Sequence, residues 1–310
     1  LKNLLRSHRV LRLSMSEKKG ILLVNTGTPD ELTLTEVKRY LKTFLMDEDI
    51  ITLPAFLRYI LVHHLIVPRR SPVTLKKYQS ISPKGVSPLK IISQNLEHIL
   101  QKKFSDSKVK LAMRYSKPSI KTAIDEFKRD GITDITCVPL FPHFSRATTL
   151  SVFKEVAKYN RNMTFLPSFY DHPLFIQSWV KNISRFTSNK IDLILFSYHG
   201  LPKKFLDQGS YIKLELEKKS IKLDHNLIHT NYQDQCLQTT KYISEELKRI
   251  NIYTGPTVTT FQSRLGKEKW IGPYTDQYLI ENAPHFKHIM IVSPAFITDG
   301  LETLEELKIE

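Results

Sequence analysis

Short apolar runs that end in small or polar residues recur along the chain, with amphipathic stretches between them. The clearest, residues 193–196, reads Leu-Ile-Leu-Phe and leads straight into Ser197, Tyr198, His199 and Gly200. A short, unbroken apolar run bounded by turn formers is the pattern of a parallel strand buried on both faces. Comparable runs at 20–25, 110–115, 134–140, 164–167, 256–262 and 288–293 predict further strands. The intervening stretches carry apolar residues at helical spacing, as in Val37, Tyr40, Leu41 and Phe44, with Thr33 placed to cap that helix and Thr35 as the alternative. Helices are likewise expected over 89–102, 119–130, 174–187, 233–249 and 301–310, with Thr275 as the cap of another. Strands alternating with helices throughout define an α/β chain with parallel sheets flanked by helices. The strands fall into two groups, 20–167 and 191–293, which predicts two similar domains with a cleft between them. The expected boundaries are a basic extension at 1–14, domains at 15–173 and 174–297, and an acidic helix at 298–310.

Three stretches interrupt the alternation. Residues 55–67 (AFLRYILVHHLIV) are richly apolar and read as a packing or lid helix. Its adjacent His63 and His64 would face different directions on a helix, which makes them poor joint metal ligands. Arg69 and Arg70 follow between Pro68 and Pro72, which reads as a rigid cationic connector, and Ser87-Pro88 then opens the 89–102 helix. Two fixed arginines near a hydroxyl-bearing loop and a helix N-terminus suit a carboxylate, although a solvated basic turn fits the same residues. Residues 203–229 are charged and weakly periodic, and read as a surface excursion.

Composition narrows the function classes. The 310 residues carry a formal net charge of +15, which suits nucleic acid, a membrane surface or an anionic small molecule, or reflects coding bias. The lysines are scattered, and no RNA-recognition, zinc-finger or helix-turn-helix pattern accompanies them, so no nucleic-acid partner is expected. The 2 cysteines, Cys137 and Cys236, form no CxxC pair. That usage fits a reducing compartment, here expected to be the cytoplasm, and provides too few thiolates for an iron–sulfur cluster. No window approaches the roughly 18 apolar residues of a membrane span. Residues 1–14, basic and acid-free before Met15, resemble a targeting peptide or translated upstream sequence, with the second reading preferred.

Two stretches carry candidate chemistry. His199 is expected where a buried strand hands over to a loop, the edge at which open α/β sheets bind ligands, with Gly200 allowing close backbone approach. A core histidine satisfied by a backbone carbonyl is the structural alternative. Near the C-terminus, Glu302, Glu306 and Glu310 are four residues apart and would form one ridge on a helix. Such a ridge is either solvated or has a cation to hold. It follows a predicted strand at the edge where His199 is expected. An imidazole and carboxylates facing across a cleft offer ligands to a divalent metal such as Fe2+ and bases for proton removal.

Seven stretches in order then resemble the ferrochelatases, which insert ferrous iron into a dicarboxylate porphyrin. They are the run from Val24 to Pro29; Arg69-Arg70-Ser71-Pro72 with Tyr78, Ser87 and Pro88; and Leu140 to Ser145 with Thr148 and Thr149. Next come Phe196 to Pro202, Phe261 to Gly266, Gly272 to Asp276, and Asp299 to Leu304. The resemblance implies two Rossmann-like, chelatase-type domains around a porphyrin cleft, with protoporphyrin and Fe2+ as substrates and no resident cofactor. It implies that His199 takes pyrrole protons or contacts the metal, with Glu302 opposite and Glu306 and Glu310 as an acidic track. Arg70, Tyr78 and Ser87 match positions that hold the propionates. The chain departs from the family at Thr26, at Tyr198 and at Gly300, and through the 210–231 stretch. It stops at Glu310, where relatives continue through a closing strand and helix, which implies either a less stable protein or a fragment. The alternatives are a chelatase for coproporphyrin with iron or sirohydrochlorin with cobalt, and a non-catalytic tetrapyrrole or metal binder. Peripheral contact with a membrane and the oligomeric state are left open.

Overall fold

A computed structural model describes residues 18–83, 85–187, 190–206, 208–221, 231–264, 266 and 268–309. The basic extension 1–14 and Glu310 lie outside the described residues. Strands β1 (Lys19–Asn25), β2 (Ser107–Met113), β3 (Ile135–Pro139) and β4 (Thr164–Phe165) form one parallel sheet in the order β2-β1-β3-β4. Strands β5 (Leu193–His199), β6 (Thr257–Gln262) and β7 (Ile289–Val292) form a second parallel sheet, in the order β6-β5-β7. The two strand groups read from the sequence are therefore two sheets. β5 is central in its sheet, and Leu193 to Tyr198 are buried without a break. A strand covered on both faces has no polar side to expose, hence the unbroken apolar run.

Helices flank both sheets. In chain order they are α1 (Leu34–Leu45), α2 (Ala55–Ile60), α3 (Val67–Ile81), α4 (Pro88–Lys103), α5 (Ile120–Arg129), α6 (Ser151–Val156), α7 (Pro173–Ser184), α8 (Gly209–Lys218), α9 (Tyr232–Arg249) and α10 (Thr275–Asn282). The Thr33 cap is present: its Oγ1 accepts from the Glu36 N–H at 3.3 Å. Two cores separate along the chain. Leu22, Val24, Phe127, Ile135 and Phe153 fill the first, and Ile194, Phe196, Tyr198, Ile243 and Phe261 the second.

Four sequence expectations are corrected. The Pro68–Pro72 stretch is no connector: α2 passes through a π-helical turn, Leu61–Ile66, directly into α3. Pro68 falls in the first turn of α3, where its missing donor costs little. Pro72 omits one further bond, and Ser71 Oγ donates to the Val67 carbonyl at 2.6 Å beside that gap. Secondly, the 203–229 excursion contains α8, which buries Leu216, and Ile221 just beyond it, in the core of the first sheet. Its Tyr211 and Glu215 join Asp49, Arg146 and Lys154 in a charged cluster. Thirdly, Thr275 does not cap α10. It is the first helical residue, and its buried hydroxyl lies 2.9 Å from Ser197 Oγ. Lastly, the C-terminal α-helix is instead a π-helical turn, Leu301–Glu305, closed by the Glu306 N–H on the Leu301 carbonyl at 2.9 Å.

Candidate active site

β5 delivers His199 as its last residue, half-buried at the carboxyl edge of the second sheet. The ring is oriented by its own loop: Nδ1 lies 2.6 Å from the Gly200 carbonyl, which can only accept, so Nδ1 carries the hydrogen. Nε2 is then the bare, basic nitrogen. Tyr232 Oη donates to the His199 carbonyl at 2.9 Å, and Phe296 packs edge-on to the imidazole at 6.4 Å. Gly200 serves a different purpose from the one expected. A Cβ there would lie 2.8 Å from the Gln262 carbonyl, so the glycine admits a neighbouring strand and not a ligand.

The acidic turn approaches the same edge from the other side. Gly300 N–H donates to Thr303 Oγ1, which donates to Asp299, fixing the entry to the turn. Leu301 and Leu304 pack with Val37, Tyr78 and Ile81, so the turn hangs on α1 and α3. Glu302 is half-buried, with its carboxylate folded back so that Oε2 is 2.9 Å from where a Gly300 Cβ would stand. Withdrawal from water raises the Glu302 pKa above the ordinary carboxylate value, and the neighbouring Glu306 raises it further. A proton taken up by His199 would act in the opposite sense. The structure thus brings His199, Glu302 and Glu306 together.

The three carboxylates of the turn differ in role. Glu306 Oε2 accepts from Ser263 Oγ and from Gln262 Nε2, the latter at 3.3 Å. Glu305 is buried and ion-paired to Lys77 at 2.8 Å. It is therefore a structural anchor.

The residues matched to propionate binding are spread along the first-sheet wall. Arg70 is exposed in the first half of α3. Tyr78, two turns further on, is buried edge-on to Tyr40 at 6.5 Å. Burial pushes the Tyr78 phenol above its ordinary range and the nearby Glu302 charge adds to the rise, so Tyr78 stays a protonated donor beside the acidic turn. Ser87 precedes α4, buried, and its hydroxyl has no hydrogen-bond partner among the described residues. The Thr28 hydroxyl, after β1, is buried beside the Tyr78 phenol.

Sequence reasoning missed Tyr40, Thr28 and Gln262. Tyr40 was placed on the apolar stripe of α1, yet its hydroxyl donates to the Gly27 carbonyl at 3.0 Å and its ring backs Tyr78. A hydroxyl on an otherwise wholly apolar stripe was the available signal. Among the described residues no group of three or more His, Cys, Asp and Glu side chains could hold a metal ion. A surface cavity of about 550 Å3 between α7 and α9 is lined by Asp171, Tyr242, Glu246 and Arg249, away from the strand edge that carries His199.

Two helix-flanked parallel sheets, with an imidazole and a carboxylate meeting at a strand edge, define a chelatase-type enzyme of two Rossmann-like domains. A family model described as Ferrochelatase matches residues 18–310. The chain is 38% identical over 318 aligned positions to a ferrochelatase of Coxiella burnetii (strain RSA 493 / Nine Mile phase I), covering 99% of this chain and 88% of the relative. It is 40% identical over 300 positions to a ferrochelatase of Legionella pneumophila (strain Paris), covering 94% and 88%. The chain belongs to the ferrochelatase family.

Proposed function

We propose that this protein inserts Fe2+ into protoporphyrin IX to give protoheme, the terminal step of heme formation. In that reaction two pyrrole N–H bonds break, four Fe–N bonds form, iron stays ferrous and two protons leave. The observation that carries the reading is His199, whose Nδ1–H is committed to the Gly200 carbonyl, leaving a basic Nε2 in the field of Glu302. On this reading Nε2 takes pyrrole protons, and Glu302 meets the arriving cation or accepts a proton in turn. A carboxylate with a raised pKa suits the second task, because it can hold a proton closer to neutrality than an ordinary glutamate. Glu306 continues the acidic track, and Glu310, matched to the same track in sequence, lies outside the described residues. Iron is a substrate in this scheme, and no resident cofactor is needed.

Arg70, Tyr78 and Ser87 then hold the propionates. What supports this is chemical: an exposed guanidinium, a phenol that stays protonated and a buried hydroxyl without a partner are donors suited to carboxylates. Anaerobic mixing with Fe2+ and either protoporphyrin or coproporphyrin, followed by the visible absorption change, tests the substrate. Faster metallation of protoporphyrin is expected; a clear preference for coproporphyrin would overturn that assignment.

Peripheral membrane contact fits the surface beside the site. Phe56, Leu57, Tyr59, Ile60 and Leu65 are exposed on α2 and the π-helical turn after it, with Phe56 at 72%. Among the described residues no helix is long and apolar enough to cross a membrane. Buried free thiols at Cys137 and Cys236 suit the cytoplasm. Flotation with anionic vesicles, lost in a Phe56→Ser and Leu57→Ser variant, is the expected result.

A further inference from the structure

Gln262 ends β6 at the strand position paired with His199, and its side chain is buried. Its amide is oriented from behind: Ser197 Oγ donates to Oε1 at 2.6 Å, so Nε2 must face the acidic turn. Ser197 is itself held in a file of hydroxyls, 2.9 Å from Thr275 Oγ1, which lies 2.8 Å from Thr260 Oγ1. Both amide hydrogens are spent on the turn. One meets the Glu302 carbonyl at 2.6 Å and the other Glu306 Oε2 at 3.3 Å. The turn otherwise hangs on α1 and α3 through Leu301 and Leu304. Gln262 therefore bridges the strand edge that carries His199 to the turn that carries the carboxylates.

We propose that Gln262 is a positioning residue for metal insertion, its amide setting the separation between His199 and Glu302 and fixing Glu306 beside them. This rests on the reading of His199 and Glu302 as the groups that act on the porphyrin and iron. A main-chain hydrogen bond to Glu302 governs where the carboxylate starts from, and a displacement of about 1 Å at a reacting group costs on the order of a hundredfold in rate. Porphyrin affinity should be indifferent, because Gln262 contacts the turn and none of the residues matched to propionates.

The test uses the full chain, with anaerobic Fe2+ insertion for kcat and fluorescence quenching for porphyrin affinity. Gln262→Met keeps the length and removes the amide; kcat is expected to fall about tenfold with affinity within about twofold. Gln262→Glu is nearly isosteric and keeps an acceptor for Ser197, but it cannot donate and repels Glu306. Its loss should be larger, about a hundredfold. Adding Glu306→Gln to Gln262→Glu restores a donor across the same gap. In a cycle that includes the single Glu306→Gln variant, it should recover about fivefold.

A packing role alone would make Gln262→Glu the mildest change with no recovery in the double variant, and that pattern overturns the proposal. If Gln262→Met fails to fold, Ser197→Ala frees the amide to turn. A loss of about threefold in kcat at unchanged affinity is then expected, and no loss overturns. Glu302→Gln separates the two levels. Near-normal turnover in Glu302→Gln removes the underlying reading, whereas an inactive Glu302→Gln beside fully active Gln262 variants removes only the positioning role.

Discussion

The sheet-edge wall, where β5 and β6 end in His199 and Gln262, is dense with short hydrogen bonds, whereas the helical wall from α2 to the start of α4 presents Phe56, Tyr59 and Arg70 to solvent. On the first wall every polar group named has a fixed partner: Ser197 on Gln262, Gln262 on Glu302, Ser263 on Glu306. On the second, the Ser87 hydroxyl is buried with none among the described residues. On the function proposed above, the contrast separates two tasks. Proton removal and metal entry need a base and a carboxylate held to within a fraction of an ångström. Binding a large flat dianion needs donors that gain their partner only when it arrives.

Substitutions on the two walls should therefore fail differently. The largest effect is expected for His199→Ala, about a thousandfold in metal insertion, since it removes the basic nitrogen while leaving β5 in place. Glu302→Gln should follow at about a hundredfold and Glu306→Gln at about tenfold, both partly offset by raised Fe2+. Iron titrations of the purified variants check that order; equal small losses would mean the turn is a bystander. Next comes Lys77→Met, which leaves buried Glu305 without its ion-pair partner and should cost about 2 kcal/mol by urea unfolding. This is below the roughly 3–5 kcal/mol of a fully buried pair because Lys77 itself is about a third exposed.

Arg70→Ala should weaken porphyrin binding about tenfold and leave the bound-state rate alone, because an arginine–carboxylate contact is present equally before and during insertion. Equilibrium quenching titrations read that split. A separate effect concerns pH. His143, buried between the two cores against Tyr198 and Tyr232, has its pKa lowered by burial from 6.5 to about 3. The folded protein keeps it neutral while the unfolded chain takes up a proton. Its contribution is thus complete above pH 6.5 and lost as pH falls from there towards about 3, at no more than roughly 1.4 kcal/mol per pH unit. His143→Gln should flatten that part of the stability curve, and an unchanged slope would point to other groups.

The sheet-edge wall was also the more legible of the two in the sequence. The 193–196 run announced a strand covered on both faces, and the grouping of strands announced two sheets. His199 and Glu302 both follow strands at one topological edge, so their meeting could be read from order alone. The partners that fix them could not. Gln262 acts on a residue 40 positions away, and Glu305 finds Lys77 at 228. No periodicity within one element encodes such pairs. The helical wall misled for a local reason: two prolines in five residues look like a break, and only the π-helical turn before Pro68 shows how the helix carries on. α8 was hidden because its Glu215 is neutralised by Lys154 and Lys218, so a charged residue sits where an apolar one would have marked the buried face.

The division of labour between the walls can be read in a single turnover. Protein preloaded with protoporphyrin is mixed anaerobically with excess Fe2+, and the absorption change of the bound porphyrin is followed for wild type, His199→Ala and Arg70→Ala. The expected result is a bound-state rate close to wild type in Arg70→Ala and nearly abolished in His199→Ala, although both are loaded with porphyrin at the start. A His199→Ala protein that metallates its bound porphyrin at the wild-type rate would contradict the placement of the chemistry at the β5 edge.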